Sequence, residues 1–234
     1  MAGYLQASPV RRFSRGSYLL PEPHRKRSPP LASNAEAANL LDAIRDGSRE
    51  WFAFFAFLLL TGARRGEAAG LRWEDVDLGH RLVTLRRSYE APTKSGRART
   101  VPISTELATI LVEHRVRDQW AGPTVFPHPE TGEALTHDIK IGEILDTACA
   151  RAGIPRMRAH DLRHAHASLW LMAGGSLADV QRNLGHSTPV LTSETYGHIG
   201  EDHRIREVDL RLAGVAASSE SVELAIRPWR RAGR

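Results

Sequence analysis

Trp51-Phe52-Ala53-Phe54-Phe55-Ala56-Phe57-Leu58-Leu59-Leu60-Thr61-Gly62-Ala63-Arg64 is the stretch from which the fold can be read. Its apolar run of ten residues is too short to cross a bilayer. It predicts a helix over about 49–60 that is buried on nearly all sides and therefore central. Thr61-Gly62 ends that helix, with Gly62 able to take the left-handed conformation. Arg64 and Arg65 follow at once, ahead of Glu67. An arginine leaving a buried helix has its backbone anchored to the core. A rigid guanidinium, planar and always charged, suits phosphate oxygens. The plainer reading is a surface arginine pair with Glu67 as its salt-bridge partner.

Outward from this helix, Ser33-Asn34-Ala35-Glu36 has the capping-box pattern, and Leu40, Leu41 and Ile44 share one face behind it. Leu82-Val83-Thr84-Leu85 and Thr100-Val101 with Ile103 suit strands, with the turn sequence Thr93-Lys94-Ser95-Gly96 between them. They predict a small antiparallel sheet with Lys94 at or beside a hairpin turn. Helices are expected over 104–118, from a Thr136 cap through Ala148, around Leu162 to Met172, and from a Ser176 capping box to a stop at Gly185. Thr188-Pro189 reads as the start of a short last helix bearing or preceding Tyr196. The expected fold is mainly α with a small antiparallel β-sheet.

The 234 residues suit one domain with an appendage. The net charge of +5 is uneven. Residues 1–30 hold six basic residues against one acid, so this Pro-rich segment accounts for the whole excess. It reads as a basic arm without order of its own, either phosphate-binding or merely solubilising. The catalytic domain is expected over 31–215, and 216–234 as a basic tail. The single cysteine, Cys149, excludes an intrachain disulfide and fits a reducing cytoplasm. No secretory leader or membrane span is legible.

Four clusters carry potential chemistry. Arg64 lies in the first. Lys94, the second, is an ordinary solvated turn lysine or a proton donor placed by the hairpin. In the third, Ala159-His160-Asp161-Leu162-Arg163-His164, residues His160 and Arg163 share a helix face. If His160 sits in the first turn, the helix dipole favours its neutral form, as a base requires. His160 and His164 also have the spacing of zinc ligands, but no glutamate stands in the metalloprotease position and there is no cysteine cluster. In the fourth, Leu184-Gly185-His186 projects a histidine after a helix stop, and Tyr196 follows before His198. Each alone reads as a cap or as packing.

In combination and order these motifs resemble the tyrosine recombinase (phage integrase) family. The likeness extends to Leu71-Arg72-Trp73, Asp75 and Arg99-Thr100-Val101-Pro102, and covers roughly residues 31–205. It implies the fold of a DNA breaking-rejoining catalytic domain. It also implies a set of roles. Arg64 and Arg163 would clamp the scissile phosphate, and His186 would add a hydrogen bond to it. Tyr196 would attack phosphorus and form a 3′-phosphotyrosine, with His160 as its base. Lys94 would protonate the leaving 5′-oxygen. The chemistry implied needs neither ATP, cofactor nor metal. The partners implied are double-stranded DNA and further copies of the chain, as a tetramer on paired sites.

Members usually carry a helical DNA-binding domain ahead of the catalytic one, and the segment before Ser33 does not resemble it. The chain then reads as a naturally short recombinase, an impaired DNA-binding remnant, or a piece of a longer protein. A type IB topoisomerase is a further alternative. The Leu-Gly-His spacing and the Arg99-Thr100-Val101-Pro102 strand favour the recombinase.

Overall fold

The computed structural model describes Leu31 and residues 33–89, 91–92, 98–118, 122–185 and 196. The arm, the tail, Lys94, His186 and the Thr188-Pro189 cap lie outside the described residues. In chain order the elements are α1 (Asn34–Gly47), α2 (Arg49–Thr61), α3 (Arg65–Ala69), a 3-10 turn (Trp73–Asp75), β1 (Val76–Asp77), β2 (Leu82–Leu85), β3 (Arg87–Ser88), β4 (Ala91–Pro92), β5 (Arg99–Pro102), α4 (Thr105–Asp118), α5 (Gly142–Ala152), α6 (Ala159–Met172) and α7 (Leu177–Leu184).

The apolar stretch is the centre of the molecule. Every residue from Trp51 to Leu59 is buried, and α2 packs against α1, α4 and α6. Phe54 meets Phe55 and Phe126 edge-on, at centroid distances of 5.8 and 5.5 Å. This is the geometry that ring quadrupoles favour. Helix α1 begins as its sequence predicts. The Ser33 hydroxyl accepts the Glu36 N–H, and Leu40, Leu41 and Ile44 turn inward.

Strand β2 pairs antiparallel with β1 on one side and β5 on the other. The register sets Val83 against Val101 and Leu85 against Arg99. Since strand side chains alternate faces, the face that buries Val83, Leu85 and Val101 also carries Arg99. The expected antiparallel pairing is therefore present, and the turn expected at Lys94 lies outside the described residues. A second small ribbon, Arg87–Ser88 with Ala91–Pro92, interrupts its long connection.

One boundary needs correction. The helix expected from a Thr136 cap starts at Gly142, with Ile141 at the N-cap. Leu135 and Ile141 are both buried. The intervening polar residues form a turn in which the Ile139 N–H donates to the Thr136 carbonyl. Anchoring both ends in the core leaves no room for an extra helical turn.

The described apolar side chains fall into two clusters. The larger surrounds α2. The smaller joins Ala167 and Leu171 of α6 to Val180 and Leu184 of α7, and Tyr196 is its fifth member. The Ser176 hydroxyl caps α7 by accepting the Asp179 N–H, and Gly185 ends it at φ 64°. Among the described residues no helix is long and apolar enough to cross a membrane.

Phe55 is fully buried in α2, and its truncation leaves a cavity that a close-packed helix cannot refill. Phe55→Ala should lower unfolding free energy by about 3–5 kcal/mol, read as a lower urea midpoint with the transition slope unchanged.

Candidate active site

The site begins where α2 stops. The Thr61 hydroxyl donates to the Phe57 carbonyl and accepts the Ala63 N–H. Gly62 follows at φ 66°. A Cβ there would come within 2.7 Å of His166 and Leu184, so glycine is required by both conformation and space. The buried Gly62 carbonyl accepts a hydrogen bond from Nη1 of Arg163 at 2.7 Å. Nη2 of Arg163 donates to the Leu184 carbonyl at 2.5 Å. Arg163 is only 3% exposed. It ties the end of α2 to the end of α7, two residues before Arg64 and two before His186. A guanidinium has five N–H donors, which exceeds these two bonds and leaves capacity for an anion.

Arg64 is the N-cap of α3 and is half-exposed. Its backbone N–H and its Nη1 both donate to the Glu67 carboxylate, at 2.7 and 2.9 Å. The same carboxylate receives a two-pronged bond from Arg99, at 2.6 and 2.7 Å. Nε of Arg99 donates to the Asn183 carbonyl at 2.9 Å. The surface salt bridge offered by the plainer sequence reading is thus a buried one, since Glu67 is 2% exposed. Burial pushes its carboxyl up. The hydrogen bonds and charge of Arg99, with those of Arg64, override this and bring it down to about 2.

Positive charge is concentrated here. Burial, then the neighbouring Arg64 and Arg99 guanidiniums, pull Arg163 down to about 9, which leaves it charged at neutral pH. His160 stands in the first turn of α6. Desolvation, followed by the charges of Arg163 and Arg64, lowers its basicity. That favours the neutral imidazole expected from its position. Its ring lies edge-on to that of His164, 4.8 Å away.

Tyr196 is 3% exposed. Burial pushes its phenol up to about 12, against the opposing pull of Arg163. Its hydroxyl is hydrogen-bonded to Nδ1 of His164 at 2.5 Å, one helical turn beyond His160. Arg64, His160, Arg163 and Tyr196 are therefore neighbours in one site, and Lys94 and His186 lie outside the described residues. Sequence reasoning gave no role to Arg99 or Asn183, and weighed His164 only for its zinc-ligand spacing with His160. Arg99 had a signal: Val101 and Ile103 alternate inward, so Arg99 must share their face. Among the described residues, no group of three or more His, Cys, Asp or Glu side chains is placed to hold a metal.

The Phage integrase family model matches residues 32–203, and the chain belongs to that family. It is 35% identical over 152 residues to tyrosine recombinase XerC of Mycobacterium bovis, covering 61% of this chain and 47% of that protein. The catalytic domain of bacteriophage HP1 integrase matches over its whole length and 81% of this chain, with a TM-score of 0.55 and 26% identity. The XerA recombinase matches with a TM-score of 0.64 and 25% identity, over 79% of this chain and 65% of its own. The fold is that of a tyrosine recombinase catalytic domain. The chain spans about half the length of the curated relatives it matches.

Glu67→Gln would leave Arg99 without its counter-charge in a buried place. Stability should fall by about 3–5 kcal/mol. The folded carboxyl titrates below its ordinary value of 4.5, so its contribution is full above that pH and is lost as pH falls towards about 2. Urea unfolding across this range should show a steep acid decline in wild type and a shallower one in the variant.

Proposed function

We propose that this protein cuts and rejoins DNA at specific sites through a 3′-phosphotyrosine intermediate. The observation that carries the reading is the burial of Tyr196 against α6, its hydroxyl bonded to His164, next in sequence to Arg163, which is itself anchored between the Gly62 and Leu184 carbonyls. A buried guanidinium with donors to spare, beside Arg64, can stabilise the charge of a pentacoordinate phosphorane. A tyrosine next to it is positioned as the nucleophile. Family membership supports the same chemistry.

The proposed site residues are Arg64, Lys94, His160, Arg163, His186 and Tyr196. Arg64 and Arg163 hold the phosphate oxygens, His186 adds a hydrogen bond to one of them, and His160 is the base that the resemblance implies. Tyr196 attacks phosphorus and Lys94 protonates the departing 5′-oxygen. Attack by a second 5′-hydroxyl on the phosphotyrosine then rejoins the strand. The covalent link conserves the phosphodiester bond, so the cycle calls for no nucleotide energy source. The proposed partners are double-stranded DNA and other copies of the chain, as a tetramer across paired sites. The proposed domain limits are 31–215, with 1–30 and 216–234 as basic appendages adding sequence-independent phosphate contacts. The proposed location is the cytoplasm, a reading supported by action on DNA and compatible with the single cysteine.

Nicked suicide duplexes with a randomised core trap the covalent intermediate, because the short 5′ fragment diffuses away. Wild type should give an adduct stable on a denaturing gel, and Tyr196→Phe should give none. An adduct that survives in Tyr196→Phe would remove Tyr196 as nucleophile. No adduct across the library would count against strand cleavage, and relaxation of plasmid without a defined site would indicate a topoisomerase instead.

A further inference from the structure

The Tyr196 hydroxyl has a partner that the family resemblance does not assign. It is bonded to Nδ1 of His164 at 2.5 Å, with the two ring centroids 5.8 Å apart and tilted by 47°. The phenol is protonated near neutral pH, so its O–H donates and Nδ1 accepts. That direction assigns the Nε2–H tautomer to His164. His160 sits one turn earlier on the same face of α6, with its ring edge against that of His164. A general base must stand within hydrogen-bond reach of the proton it removes. Among the described residues the imidazole bonded to this hydroxyl is that of His164, on a helix whose next residue back, Arg163, is locked to two backbone carbonyls.

We infer that His164 is a catalytic residue that accepts the Tyr196 proton during strand cleavage, an assignment that rests on the DNA-cleavage reading above. The Tyr196 O–H bond breaks and its proton passes to Nδ1 of His164. The freed oxygen pair forms the bond to phosphorus. The bond from phosphorus to the 5′-oxygen breaks, and that oxygen leaves with the electron pair and takes a proton from Lys94. In rejoining, the 5′-hydroxyl returns a proton to Lys94 as it attacks, and the departing phenolate recovers its own from His164. The pair therefore ends each cycle as it began. The electrostatics give the transfer a timing. A second positive charge beside Arg163 is opposed in the free site, and a phosphate bound between Arg64 and Arg163 supplies the negative charge that offsets it. His160 is thereby left to face the phosphate as a neutral group.

The test compares covalent adduct rates of wild type, His164→Ala and His164→Asn on the nicked duplexes selected by wild type. His164→Ala should slow the adduct by roughly 100-fold or more, and added imidazole should restore part of the rate. His164→Asn returns a hydrogen-bonding group that cannot take a proton, and it should remain slow. Full activity in His164→Asn would reduce the histidine to a positioning group. Wild-type or faster rates in His164→Ala would overturn the assignment, and faster rates would mark the contact as a latch. An absent wild-type adduct defeats the cleavage reading and the base assignment with it. A normal wild-type adduct with indifferent His164 variants defeats the base assignment alone. If His164→Ala fails to fold by circular dichroism, nitrogen-15 histidine spectra of wild type and Tyr196→Phe decide the contact. The His164 Nδ1 resonance should move when the hydroxyl is lost, and an unmoved resonance overturns the inference.

Discussion

Three parts of this molecule meet at one buried carboxylate. Glu67 receives the backbone and side chain of Arg64 from the start of α3 and both prongs of Arg99 from β5, and Arg99 reaches on to the end of α7. Burying a carboxylate costs several kcal/mol unless its lone pairs are filled, and here they are filled from two elements, by Arg64 at the start of α3 and Arg99 of β5, which also grips the end of α7. The arrangement is stable only when the helix start, the strand and the helix end stand in their correct mutual places. It thus couples β5 and the start of α3 to the end of α7 through the single side chain of Arg99.

The end of α7 follows the same logic from the other side. The last carbonyls of a helix lack intrahelical partners and carry the negative end of its dipole. Here the carbonyls of Asn183 and Leu184 are claimed by Arg99 and Arg163. Gly185 closes the helix in the left-handed conformation. A Cβ at that position would lie 2.8 Å from the Arg99 side chain. Fixing two arginines on a helix terminus orients them without employing further acidic residues, which would otherwise cancel the positive field that a phosphate needs.

Much of this was legible in the sequence, for reasons that differ by residue. The central helix, its left-handed stop at Gly62, the Ser33 and Ser176 caps and the pairing of 82–85 with 99–102 all rest on local chemistry, and the structure has them. Thr136 misled because a good capping residue carries no information about the core anchors, Leu135 and Ile141, on either side of it. Arg64, His160, Arg163 and Tyr196 were marked by motif order, and they do converge. The depth of Glu67 was invisible because its partner, Arg99, is 32 residues away. The bond between His164 and Tyr196 was invisible because it links α6 to a residue 32 positions later. Period and spacing describe one element at a time, and these contacts exist only between elements.

The separate packing of Tyr196 has a kinetic consequence. Its side chain is a member of the small cluster between α6 and α7, not of the large core around α2. Few apolar contacts hold such a unit, and units of this kind open at lower free energy than the body of a protein. The arginines are tied to the main scaffold through Gly62 and Glu67 as well as to the end of α7, while Tyr196 packs only in the smaller unit. Amide exchange in α7 therefore reports directly on how often Tyr196 is released. Whatever stiffens α7 also holds Tyr196 in its place against α6.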